Sequence, residues 1–128
     1  MFNENKKKEY EQATGATMDK SILLSIISLA TKEISGVASM DTRIISKIKD
    51  KLSSKYFEGA KISYNKKHKL VIDVYIVVYQ NYNVAEIAYR VQQNIKSSLQ
   101  TMVEDFGKIN VHVVGVAHED DIIDRIEL

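Results

Sequence analysis

The sequence has no cysteine, no proline and no tryptophan. Without cysteine there is no disulfide framework, no zinc–thiolate centre and no thiol nucleophile, so any fold must stand on its packed core. Glycine is scarce as well, with only Gly15, Gly36, Gly59, Gly107 and Gly115, the closest two eight positions apart. Dinucleotide and Walker-type loops need several glycines within a few residues, which excludes both here. Long hydrophobic runs are also missing. The longest stretches free of Asp, Glu, Lys and Arg, Ser21–Thr31 and Val74–Ala85, span 11 and 12 residues, short of the roughly 20 that cross a bilayer as a helix.

What is present is a chain of 128 residues, 45% hydrophobic, with 18 basic and 17 acidic side chains. That is enough to bury one core in one domain. Residues 1–18 are rich in Asn, Lys and Glu and poor in large apolar side chains, and are expected to form a flexible N-terminal tail. They lack the apolar segment of a secretory signal, which predicts a cytoplasmic protein. The single domain is placed at residues 19–117, followed by an acidic tail or short helix at 118–128.

Within that domain, Ile22, Leu23, Ile26, Ile27, Ala30 and Ile34 recur at helical spacing, with Asp19 or Ser21 as N-cap and Gly36 as the stop. Leu24 and Leu29 fall outside the stripe, so this helix should be covered on more than one side. After a connector at Val37–Thr42, Ile44, Ile45, Ile48 and Leu52 predict a second helix ending near Ser54. A short strand, Ala60–Tyr64, and a long one, Lys69–Tyr79, read as a hairpin around Asn65–His68. Asn83 and Glu86 resemble a capping box. Val84, Ile87, Ala88, Val91, Ile95, Leu99, Met102 and Val103 then trace a helix closed by Gly107. The last strand is Ile109–Val116, parallel to the long one as a strand–helix–strand unit requires. The reading is a two-layer α+β fold, order α-α-β-β-α-β, with helices on one face of a small three-stranded mixed sheet in the order 1-2-3.

Catalytic patterns do not emerge. No serine has a base and orienter, and the carboxylates of Asp120 and Asp121 lie where nothing would tune their pKa. His118 with Glu119, Asp120 and Asp121 could surround a cation only through a wrapped loop, and a solvated acidic segment is the simpler reading. No metal and no cofactor is therefore expected. Asp73 and His112 can meet on the open face of adjacent strands as a titrating pair. Around them, Val71, Tyr75, Val77, Tyr79 and Val114 form a patch that marks an interaction surface if neither the first helix nor the C-terminal tail covers it.

Charge is unevenly distributed. Residues 43–69 hold nine basic side chains against two acidic ones, and residues 118–128 hold five acidic against one basic. Lys47, Lys51, Lys66 and Lys67 are thus candidates for an anionic partner, with a plain solvated face as the alternative. Helix pairs around a small sheet also resemble KH-type RNA-binding domains, although the Gly-x-x-Gly clamp is absent.

Four short segments in order carry a family resemblance: Glu33-x-x-Gly36-Val37, Val71-x-Asp73-x-Tyr75-Ile76, Val91-Gln92-x-Asn94, and Asn110-Val111-His112-Val113-x-Gly115-Val116. Together, from about Ile22 to Val116, the chain resembles the alkaline shock protein family, the envelope stress response or general stress proteins of low-GC Gram-positive bacteria. It departs at Gln80-Asn81-Tyr82-Asn83-Val84, where family members usually have glycine and proline. The resemblance implies a non-enzymatic protein that self-associates or binds a membrane-anchored partner and accumulates at the membrane periphery. There it would support cell-envelope homeostasis under stress. A nucleic-acid-binding module, and an accessory subunit of a fatty-acid or dihydroxyacetone kinase-like enzyme, stand as the alternatives.

Overall fold

The computed structural model describes residues 20–41, 55–57, 59–103 and 106–118. The expected second helix near Ile44–Ser54, Lys47, Lys51, the tail at 1–18 and residues 119–128 lie outside the described residues. Two helices, α1 (Lys20–Lys32) and α2 (Val84–Leu99), accompany five strands: β1 (Val37–Met40), β2 (Lys55–Phe57), β3 (Ala60–Tyr64), β4 (Leu70–Tyr79) and β5 (Phe106–Ala117).

The long apolar strand β4 is central. β5 runs parallel along one edge, from Phe106 opposite Leu70 to Ala117 opposite Tyr79. The other edge is shared end to end. β3 pairs antiparallel with the first half, from Tyr64–Leu70 to Ala60–Val74, and β1 with the second, from Met40–Ile76 to Val37–Val78. β2 adds to the far side of β3. Between the two half-strands, Tyr75 bridges the junction: its amide donates to the Gly59 carbonyl at 2.9 Å and its carbonyl accepts from the Asp41 amide at 2.8 Å. Gly59 sits here at φ 82°, where a Cβ would lie 2.9 Å from the Cβ of Met40. Only a residue without a side chain lets the two chain segments approach so closely.

Alternation along β4 explains the layers. Leu70, Ile72, Val74, Ile76 and Val78 are buried against Leu23, Leu24, Ile27 and Ala30 of α1 and Ile87, Val91, Ile95 and Leu99 of α2. Both described helices therefore cover one face, as the α+β reading expects. Asn83 caps α2, its Oδ1 accepting the Glu86 amide at 3.1 Å.

Four expectations need correction. The sheet has five strands in place of three, because Val37–Met40, taken as a connector, pairs with β4, and Lys55–Phe57 pairs with β3. The buried stripe of α1 is rotated: Leu24 is core and Ile22 exposed. Packing between α2 and the β1–β3 edge selects a face that helical spacing alone leaves open. α2 stops at Leu99, whose carbonyl accepts from both Met102 and Val103 at 2.9 and 2.8 Å, so these two residues reach the core from a turn. Gly107 is accordingly inside β5, where a Cβ would come within 2.8 Å of Asn65 Nδ2 in the β3–β4 turn.

Candidate functional site

The face of β4 turned away from both helices carries Val71, Asp73, Tyr75, Val77 and Tyr79. Register with β5 sets Asn110 directly opposite Asp73 and His112 directly opposite Tyr75. Cross-strand neighbours of this kind sit within side-chain reach. His112 Nε2 lies 2.9 Å and Asn110 Nδ2 3.1 Å from the same Asp73 Oδ1. An ionised carboxylate only accepts, so both nitrogens donate, and His112 keeps its proton on Nε2. The imidazole stacks on the Tyr75 ring at 4.4 Å between centroids, with 12° between planes.

Asp73 is largely enclosed, its side chain 14% exposed, while that of His112 remains 41% exposed. Tyr75 is buried although it belongs to this face. Burial, and secondarily the charge of Asp73, push its phenol above the usual tyrosine range. Lys61 on β3 stands opposite Asp73, and Val71, Val77 and Tyr79 are half-buried around the polar centre. Val114 falls in a bulge between Val113, opposite Ile76, and Gly115, opposite Val77. The sequence-predicted surface residues thus lie together on two adjacent strands.

Chemically, the arrangement is a fixed polar island in an apolar surround. Its donors are committed to one carboxylate oxygen, and no hydroxyl or amine is bonded to His112 as a nucleophile would be. Among the described residues, no three His, Asp or Glu side chains converge into a metal site. The lysine patch is only partly described. Lys66 and Lys67 are exposed in the β3–β4 turn, which Asn65 organises by accepting the Lys67 and Lys69 amides on Oδ1 at 2.9 and 3.0 Å.

Three side-chain contacts escaped the sequence reading. Asn94 Nδ2 on α2 donates to the Ala30 carbonyl at 2.7 Å and to Glu33 Oε2 at 3.1 Å. Gln92 Nε2 donates to the Ile109 carbonyl at 2.8 Å. Asn110 completes the Asp73 pair. All of these side chains lie in the short segments that carry the resemblance, so the segments encode contacts between elements far apart in sequence.

Fold and site together define a small α+β domain with an ordered, partly polar sheet face and no recognisable reaction centre among the described residues. The chain belongs to the alkaline shock protein family, described by its cell envelope-related function, whose model matches residues 8–118. It is also 29% identical over 93 residues to the uncharacterized protein YqhY of Bacillus subtilis (strain 168), covering 71% of this chain and 68% of YqhY. Among solved structures, a MamM-CTD variant aligns with 76% of this chain and 98% of its own at 12% identity and a TM-score of 0.41. A copper form of another MamM CTD variant gives 11% identity, the same coverages and a TM-score of 0.41. Likeness at that level carries neither fold nor function. No described helix is long and apolar enough to cross a membrane.

Proposed function

We propose that this chain is a non-enzymatic envelope stress response protein that works through protein contacts, self-associating or binding a membrane-anchored partner beneath the membrane to support cell-envelope homeostasis. The observation that carries the reading is the β4–β5 face. Both described helices pack on the opposite side of the sheet, and the uncovered side combines half-buried Val71, Val77 and Tyr79 with a pre-ordered Asp73–Asn110–His112 centre. An apolar surround with a few fixed polar groups is what a specific protein contact needs, because the groups arrive already oriented and lose little freedom on binding. The family's cell envelope-related description agrees with this role.

The test is sedimentation velocity and lysate pull-down with the wild type and with Val77→Lys. The reading expects concentration-dependent association or capture of a membrane-anchored protein, lost in Val77→Lys while far-UV circular dichroism is unchanged. A wild type that stays monomeric at high concentration and captures no such partner overturns it.

A further inference from the structure

The outer edge of β5 is a second surface, distinct from the sheet face. β5 pairs with β4 on one side, and among the described residues no strand lies on the other. Its 12 residues carry one formal charge, Lys108. The opposite edge of the sheet is β2, only 3 residues long. Long edge strands are usually blunted by several charges or a proline, since an unpaired row of backbone groups is a template for another strand.

Two hydrogen bonds show which groups face outward. A carbonyl engaged by β4 lies between the strands, so the Ile109 carbonyl, reached by Gln92 at 2.8 Å, is on the outer side. By the two-residue alternation, the backbone groups of Val111 and Val113 face outward too. The Ala117 carbonyl accepts from the Gln80 amide at 2.9 Å and so faces β4, which means that the bulge at Val114 reverses the alternation. Above this edge, Tyr89 lies one turn before Gln92 on α2 and is 60% exposed. Because β4 and β5 are parallel, the helix between them runs against β5. Three residues of helix cover ~4.5 Å, about one and a half strand residues, which puts Tyr89 roughly level with Val111. Val116, 59% exposed, lies further along the same strand.

We propose that a second copy of this chain pairs along this edge, β5 against β5 in antiparallel fashion about a two-fold axis near Val111, joining the two sheets and bringing the α2 helices together at Tyr89. The inference rests on the self-association reading above and assigns it a surface, leaving the β4–β5 face for further contacts. A second copy is the fitting occupant because the two-fold makes the edge its own complement. The outward groups of Val111 meet their own equivalents, and the two Lys108 side chains are carried to opposite ends. Tyr89, otherwise exposed without a role, meets its equivalent over the axis, where aromatic anchors are most effective.

The absence of cysteine makes the test clean. Tyr89→Cys should be captured as a covalent dimer by a short bis-maleimide at concentrations where the wild type sediments as a dimer. Ser97→Cys, exposed on the Asn94 side of α2, should not. Tyr89→Glu should weaken the dimer about tenfold or more, as loss of a central aromatic does. If the wild type associates but Tyr89→Cys is not captured, or Ser97→Cys is captured equally well, the edge assignment is overturned while self-association stands. A wild type that is monomeric throughout overturns both.

Discussion

Asn94 on α2 places its amide nitrogen 2.7 Å from the carbonyl oxygen of Ala30 in α1, across 64 positions of sequence. The same nitrogen lies 3.1 Å from Glu33. One side chain thereby fixes the end of the first helix against the second, satisfying a carbonyl in the last turn, where helices leave such groups without intrahelical partners.

Removing this clasp should be measurable. Asn94→Ala is expected to cost roughly 1–3 kcal/mol of unfolding free energy in urea with an unchanged m-value, since the Ala30 carbonyl is left without its donor. Asn94→Asp should be worse at neutral pH, where its carboxylate faces Glu33 and a carbonyl, and should recover on acidification.

Gly36 and Gly115 make a contrasting pair. Gly36 adopts φ 100°, and a Cβ there would stand 2.7 Å from Ile87 Cδ1 and 2.8 Å from Tyr82 Cδ1. Gly36→Ala should therefore destabilise by about 2 kcal/mol or more. At Gly115 a Cβ would meet Val77 at 3.7 Å, an ordinary contact, so Gly115→Ala should stay within about 1 kcal/mol by thermal or urea unfolding.

Tyr75 predicts the alkaline limb of stability. Its phenol is raised above 10.0 in the folded state, first by burial and then by Asp73. The unfolded chain therefore loses this proton at lower pH than the folded one, and stability present below pH 10 falls as pH climbs through the folded value. Urea unfolding from neutral to strongly alkaline pH should show that fall in the wild type and a shallower one in Tyr75→Phe. Asp73→Asn should move the Tyr75 titration, followed by phenolate absorbance, back towards the ordinary range.

The Arg90–Glu86 pair is a useful negative control. The two side chains meet at 2.6 Å but are more than half exposed. Arg90→Ala should change stability by no more than about 0.5 kcal/mol, and less in high salt.

The sequence was most legible where periodicity and burial agree. β4 alternates so regularly that its central place, the neighbours β3 and β5 and the parallel β4–β5 pairing all follow, and the Asp73–His112 pair follows from the same alternation. Val37–Met40 was not legible because four residues with small Ala38 and Ser39 carry no strand pattern until Val78 and Ile76 lie beside them. The buried side of α1 depended on α2 and the strand edge it meets. Met102 and Val103 continue the helical spacing of α2 past its end, which hid the turn at Leu99. Asn94, Gln92 and Asn110 are polar residues whose partners are distant carbonyls and a carboxylate. Nothing in the local pattern distinguishes such residues from solvated ones.

The central claim, that the chain acts through protein contacts made by its sheet, is tested most directly by sedimentation velocity over a wide concentration range. The wild type, Val77→Lys and Tyr89→Glu would be compared, with nucleic acid removed. The account predicts that the wild type passes from monomer to dimer and larger species, that Tyr89→Glu fails to form the dimer, and that Val77→Lys stops at it. A wild type that sediments as a monomer at every concentration, with or without membrane proteins added, would contradict it.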